Sequence, residues 1–112
     1  MSKRLLFVVN VDWFFISHRL IIAEKAMLNG FDVFVACQNT GRSDEIIEKG
    51  INFINLTISR SGTNPLLELS ALISIYKIYN NLKPDIVHHV TLKPIIYGSL
   101  ISKLRNIKTV VN

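Results

Sequence analysis

Short apolar runs alternate along the chain with segments of helical spacing, and there are few exceptions. Residues 4–10 (RLLFVVN) form an apolar run of strand length. The period then changes. Over 17–29, Leu20, Ala23 and Met27 fall on one helical stripe, and Gly30 stands where a C-terminal cap belongs. A second strand-like run covers 31–37 (FDVFVAC). Ser43, with Glu45 and Glu48 nearby, opens a short helix ending at Gly50, and 52–56 make a third, short strand. Residues 57–63 read as a polar, basic loop containing Gly62. Asn64 and Pro65 supply an N-cap and a first-turn proline for a long helix that runs to Leu82. Leu66, Leu69, Ile73 and Tyr76 share one face of it beside Leu72, Ile75 and Tyr79, an apolar arc wide enough to pack on a sheet. Lys83-Pro84 stops that helix; 85–89 read as a strand, 92–105 as a helix with Pro94 in its first turn, and 108–111 as a last strand.

Strand and helix in strict alternation predict an α/β fold, a Rossmann-like parallel sheet of about five strands with helices on both faces. The strands are nearly continuous Val, Ile, Leu and Phe, as a sheet covered on both sides requires. No linker or repeat divides the chain, so residues 1–112 are read as one domain. Composition removes other classes: 49% hydrophobic and 19% charged residues rule out disorder and low complexity. No stretch reaches the roughly 18–20 apolar residues of a bilayer span. The single cysteine, Cys37, cannot close an internal disulfide, which points to a reducing, cytoplasmic setting. The start MSKRLLFVV has the outline of a signal peptide, but Asn10 and Asp12 interrupt it. Thirteen basic against eight acidic residues give a net charge of +5, which favours a phosphate-bearing substrate or an anionic membrane surface. The charges are scattered without aromatic interleaving, so no nucleic acid partner is expected.

Ligands of such sheets bind outside the carboxyl ends of the strands. That edge collects Asn10, Asp12, Trp13, Phe14, Phe15, Ser17 and His18 after the first strand, and Gln38, Asn39, Gly41 and Arg42 after the second. Ser59, Arg60, Ser61 and Gly62 follow the third, and His88, His89, Thr91 and Lys93 the fourth. The first turn contains no glycine, which excludes a dinucleotide fingerprint and a P-loop. A receiver domain needs an Asp where the third strand ends in Asn55-Leu56-Thr57. Trp13, Phe14 and Phe15 either pack as core under the first helix or form an apolar lip towards a lipid-linked substrate or a membrane. His18 is expected at the N-terminal end of the first helix, where a neutral imidazole can accept from backbone amides and face a substrate hydroxyl, or simply tie the loop to the helix. Arg19 reads as solvated, with contact to a phosphate as the alternative. His88 and His89 must point to opposite faces. Thr91 can cap the next helix while Lys93 adds a point charge, a seat for phosphate that Arg60 could share. Asp12, Ser17 and His18 carry the letters of a hydrolase triad without a nucleophile elbow. His18, His88, His89 and Cys37 lack zinc-ligand spacing.

The segment VVNVDWFFISHRLIIAEKAMLNGFDVFVAC resembles the start of glycosyltransferase family 4 enzymes of the GT-B fold, in particular bacterial enzymes that build polysaccharides or lipid-linked oligosaccharides. Arg60, Asn64-Pro65, the KPDIVH run ending in His88, Thr91, Lys93-Pro94 and Tyr97-Gly98 match that family's pattern in order. Two features depart from it. The glycine-rich turn of many members is the aromatic DWFFISHR version here, and a His-x-His of some relatives is His88-His89-Val90, so only His88 carries over. The resemblance implies an N-terminal, acceptor-side half that works against a C-terminal donor-binding domain. It also implies a nucleotide-sugar co-substrate, usually UDP-linked, no permanently bound cofactor, and metal-free transfer with retention. Under it His18 and His88 contact sugar hydroxyls near the reacting centre. Arg60, Thr91 and Lys93 hold phosphate, and Trp13 and Phe14 face lipid. The acceptor is a lipid-linked or polysaccharide glycan, the location is cytoplasmic and peripheral on the inner membrane face, and the fragment alone is expected to be inactive. A non-catalytic membrane-recruiting subunit of a two-chain transferase is the alternative, and a flavodoxin-like signalling domain a third.

Overall fold

A computed structural model describes residues 3–56, 65–90, 103 and 108–111. Its elements are β1 (Arg4–Val11), α1 (Asp12–His18), α2 (Leu20–Leu28), β2 (Asp32–Gln38), α3 (Ser43–Glu48), β3 (Asn52–Asn55), α4 (Pro65–Leu82), β4 (Ile86–His89) and β5 (Lys108–Val111). The strands form one five-stranded sheet in the order β3-β2-β1-β4-β5, and every pairing is parallel. The expected Rossmann-like class is therefore the observed one.

Strand β1 lies at the centre and explains its own composition. Leu5, Phe7 and Val9 point to one face, where they meet Phe15, Ala23, Val33, Val35, Cys37 and Ile46. Leu6 and Val8 point to the other, against Ala36, Ala71, Ile75, Tyr79 and Val87. A strand buried on both sides must be apolar at every position, and β1 is buried throughout Leu5–Val9 and again at Val11. The parallel register runs from Arg4↔Asp32 to Val8↔Ala36 and resumes at Val11↔Gln38. One extra residue of β1 is therefore bulged just before the chain leaves the sheet.

The chain differs from its sequence reading in two places. The helix expected over 17–29 is two helices, and the first begins already at Asp12. Phe15 is fully buried and packs edge-on against Phe7 at 5.3 Å between ring centres. That anchor draws the aromatic triplet into a helical turn, and Arg19, with φ −128° and ψ −9°, separates α1 from α2. Helix α2 closes at Gly30, whose φ of +91° is the left-handed conformation that glycine adopts without strain.

The second difference is on α4, whose ends agree with the reading. Ala71, Ile75 and Tyr79 recur at four-residue spacing on the buried side, with Leu72, Ile78 and Leu82 partly buried. Leu66, Leu69, Ile73 and Tyr76, expected on the packing arc, face outward, Leu66 with 77% of its surface exposed. The apolar arc is wider than the strip of one helix that a sheet can cover. The loop 57–63 and most of the helix expected over 92–105 lie outside the described residues.

Candidate functional site

In this strand order the direction in which strands are added reverses between β1 and β4, and the carboxyl ends of those two parallel strands border the crevice where such sheets bind ligands. Three segments furnish it: the bulged end of β1 with α1, the loop after β2, and β4.

Asp12 holds the first two together. It is fully buried. Its carboxylate accepts the amides of Trp13 at 2.8 Å, Thr40 at 2.9 Å and Arg42 at 2.9 Å, together with the Thr40 hydroxyl. Burial alone raises a carboxyl pKa, and these donors more than offset it, so Asp12 titrates below the ordinary carboxylate range. The loop they pin turns at Gly41, whose φ is +105° and whose amide donates to Asn39 Oδ1 at 2.8 Å. Asp12 is thus a clamp between two crevice loops. The sequence places Asp12 on this edge but gives no sign of the clamp, because Thr40 and Arg42 are 28 and 30 residues away.

Helix α1 divides the aromatic triplet. Phe15 is core, Phe14 is half-buried, and Trp13 keeps 38% of its surface exposed. Trp13 meets Phe14 edge to face at 6.0 Å, and Phe14 stacks on His18 at 4.2 Å. His18 therefore sits at the C-terminal end of α1 rather than at the start of a helix. Helix amides are not available to it there. Instead its Nδ1 donates to the Phe14 carbonyl at 3.2 Å, which leaves Nε2 on the exposed side of a ring braced by an aromatic plate.

Strand β4 presents His88 and His89 to opposite faces, as alternation demands. His88 pairs in register with Phe7 and packs on its ring at 5.1 Å, on the face that carries α1. Burial first, and the Arg19 charge second, lower its pKa, so the imidazole is neutral near pH 7. Its Nε2 is out of water without a hydrogen-bond partner. His89 is fully buried and bonds through Nε2 to the Tyr79 hydroxyl at 2.5 Å; burial, then the neighbouring His88, push its pKa down to about 4. It belongs to the core beneath α4.

Arg19, read as solvated, is half-buried, and its Nε also lacks a partner, as does Asn10 Oδ1 at the end of β1. Sequence offers a signal for Arg19 only in hindsight: it is the one residue between two helices whose apolar stripes point inward. Arg60, Thr91 and Lys93 lie outside the described residues. A shallow hollow of about 250 Å³ between β3 and α4 is lined by Ile54, Ile78, Asn81 and Leu82. It carries no titratable group and stands apart from the crevice. Among the described residues no helix is long and apolar enough to cross a membrane.

An open parallel sheet in this strand order, with helices packed on it, defines a Rossmann-like α/β domain. Its sequence says which one: residues 4–112 match the model of the glycosyl transferase 4-like family, and the chain belongs to that family. Among curated protein sequences none matches it. A glycosyltransferase from Rickettsia africae superposes with a TM-score of 0.75 at 20% identity, over 98% of this chain and 29% of its own. MurG of Acinetobacter baumannii does so with a TM-score of 0.77 at 18% identity, over 98% of this chain and 35% of its own. The chain thus spans about a third of the length of these enzymes. The C-terminal domain of a Pyrococcus furiosus hydrogenase gives a TM-score of 0.74 at 11% identity, over 98% of this chain and 90% of its own, so the fold alone does not select an activity.

Proposed function

We propose that this chain is the acceptor-side half of a glycosyltransferase that moves a sugar from a nucleotide donor, UDP-linked, onto a lipid-linked or polysaccharide glycan. The observation that carries this reading is the neutral, partnerless His88 at the reversal point of a chain of this family. A neutral imidazole can take or give a hydrogen bond to a sugar hydroxyl without drawing an ion pair. His18, braced on Phe14, offers Nε2 to a second hydroxyl. Arg60, Thr91 and Lys93 hold phosphate, and Trp13 with Phe14 forms the apolar lip against a lipid chain. Chemistry follows the retaining, metal-free course of the family once a C-terminal domain closes the donor across the crevice. The net charge of +5 supports attachment to the inner face of an anionic membrane, at about 1 kcal/mol for each basic residue near the surface.

The test is sugar transfer by the chain joined to its donor-binding domain. Lys93→Ala is expected to lower kcat/KM by roughly tenfold to a hundredfold with the fold unchanged. Unaltered kinetics removes Lys93 from the site. Exposed Ile21, Ile22 and Leu28 around Lys25 on α2 favour a second reading, a non-catalytic membrane-recruiting subunit. That reading requires vesicle binding without transfer under any pairing of domains.

A further inference from the structure

Three side-chain polar atoms near the reversal point are withdrawn from water and bonded to nothing: Asn10 Oδ1, Arg19 Nε and His88 Nε2. A fourth, His89 Nδ1, is on the other face beneath α4 and belongs to the core. The three differ in what they lack. A guanidinium cannot shed its charge, so Arg19 needs an acceptor, whereas Asn10 Oδ1 needs a donor.

Among the described residues none supplies that acceptor. Among the described residues the one ion pair is Arg42 with Glu45, at 2.6 Å and exposed. The Asp12 carboxylate is taken up by Thr40, Arg42 and Trp13. Arg19 Nη1 donates to the His18 carbonyl at 3.0 Å, which orients the guanidinium but leaves Nε unmatched. Helix α2 begins at Leu20, immediately after it, so the positive end of that helix adds to the same field. A half-buried cation with an unfilled donor at a ligand crevice is stabilised by an anion that arrives from outside.

We propose that Arg19 and His88 form a seat for the phosphate of a glycosyl phosphate. This rests on the reading of the β1–β4 crevice as the substrate site. The Arg19 guanidinium donates through Nε to a phosphate oxygen. The imidazole of His88 turns its Nε2–H to a second, in place of the sugar hydroxyl given to it above, so that both unmatched donors are met by one group. Both a nucleotide-sugar and a lipid-diphosphate-linked sugar contain that group.

The experiment is a nuclear magnetic resonance titration of the full chain with inorganic phosphate at constant ionic strength, reading the Arg19 Nε–H and the His88 ring. Saturable shifts at both are expected in the millimolar range, with none on replacing phosphate by chloride. Arg19→Gln is expected to weaken binding about tenfold or more and to silence the His88 response, with Arg19→Lys intermediate. The proposal is overturned if neither wild-type signal moves, if chloride moves them equally, or if His88 still responds in a folded Arg19→Gln chain. Should Arg19→Gln fail to fold, the wild-type titration and Arg19→Lys decide. Competition by UDP-glucose or by farnesyl phosphate then identifies the source of the phosphate. No turnover is required, so a failure here and a failure of sugar transfer are separate results.

Discussion

His88 and His89 are neighbours on one strand, share a residue type, and meet opposite fates. His89 enters the core under α4, where Tyr79 takes its Nε2 and the surroundings hold it neutral. His88 turns to the face of α1, packs on Phe7, and keeps Nε2 out of water with nothing to bond. Each ring is lowered in pKa by burial first. What separates them is whether the fold has supplied a partner at Nε2. His89 has Nε2 bonded and Nδ1 unmatched within the core, whereas His88 has its unmatched Nε2 on the side of the crevice, where the proposed function uses it. The same contrast extends to the two faces of the sheet, one closed over by the Ala71–Ile75–Tyr79 stripe, the other carrying Arg19 and His88.

The contrast breaks or sharpens at several points. The largest effect is expected from acid. The unfolded His89 takes up a proton below about pH 6.5 and the folded one only near pH 4, so the unfolded state binds more protons across that window. Stability therefore falls as pH falls from about 6.5 to about 4, by about 3 kcal/mol for this group. Urea denaturation over that range should show the slope, and His89→Leu should flatten it. His88 adds a loss of the same sign, and Asp12, whose carboxyl is lowered, adds another below the ordinary carboxylate range.

His88→Ala should instead act on chemistry. Transfer by the complete enzyme is expected to drop about a hundredfold, while the urea midpoint stays within about 1 kcal/mol of wild type. If stability collapses and transfer survives, the two histidines have been assigned the wrong way round. Asp12→Asn leaves one amide oxygen where two carboxylate oxygens met four donors, and a loss of about 2 kcal/mol is expected. Hydrogen exchange should localise the new opening to residues 39–42. The smallest effect is Tyr79→Phe, about 1 kcal/mol, read as a shift in thermal midpoint with no change in transfer.

Much of the fold is written locally. Pro65 and the Lys83-Pro84 stop delimit α4, and 108–111 carry β5, because such signals act within a turn of themselves. The alternation that sets His88 against His89 is equally local. The rest required distance. Asp12 clamps residues that only the folded sheet brings near. Helix α1 owes its existence to Phe15 finding Phe7, and no stripe of spacing reveals that. His18 shifted from the start of one helix to the end of another for this reason. On α4 the periodicity gave two apolar sides and could not say which one the sheet would take. The switch-point address of His88 was legible; the burial of Arg19 beside it was not, since a lone arginine after a histidine looks like any surface residue.

The central place of β1 sets the order in which the chain can be made. Its partner β2 lies within a few tens of residues, but Leu5 must wait for Ile86 on its other edge, and the Arg4 amide meets the Asp85 carboxylate across 81 residues of chain. On a ribosome, the three strands β3-β2-β1 can assemble while Leu6 and Val8 still lack the cover of Val87 and Tyr79. Such long-range parallel closure is slow, and the strand that builds the crevice is exposed the longest before it is sealed. Substitutions along Leu6 and Val8 will therefore weigh on yield during synthesis as well as on the finished sheet.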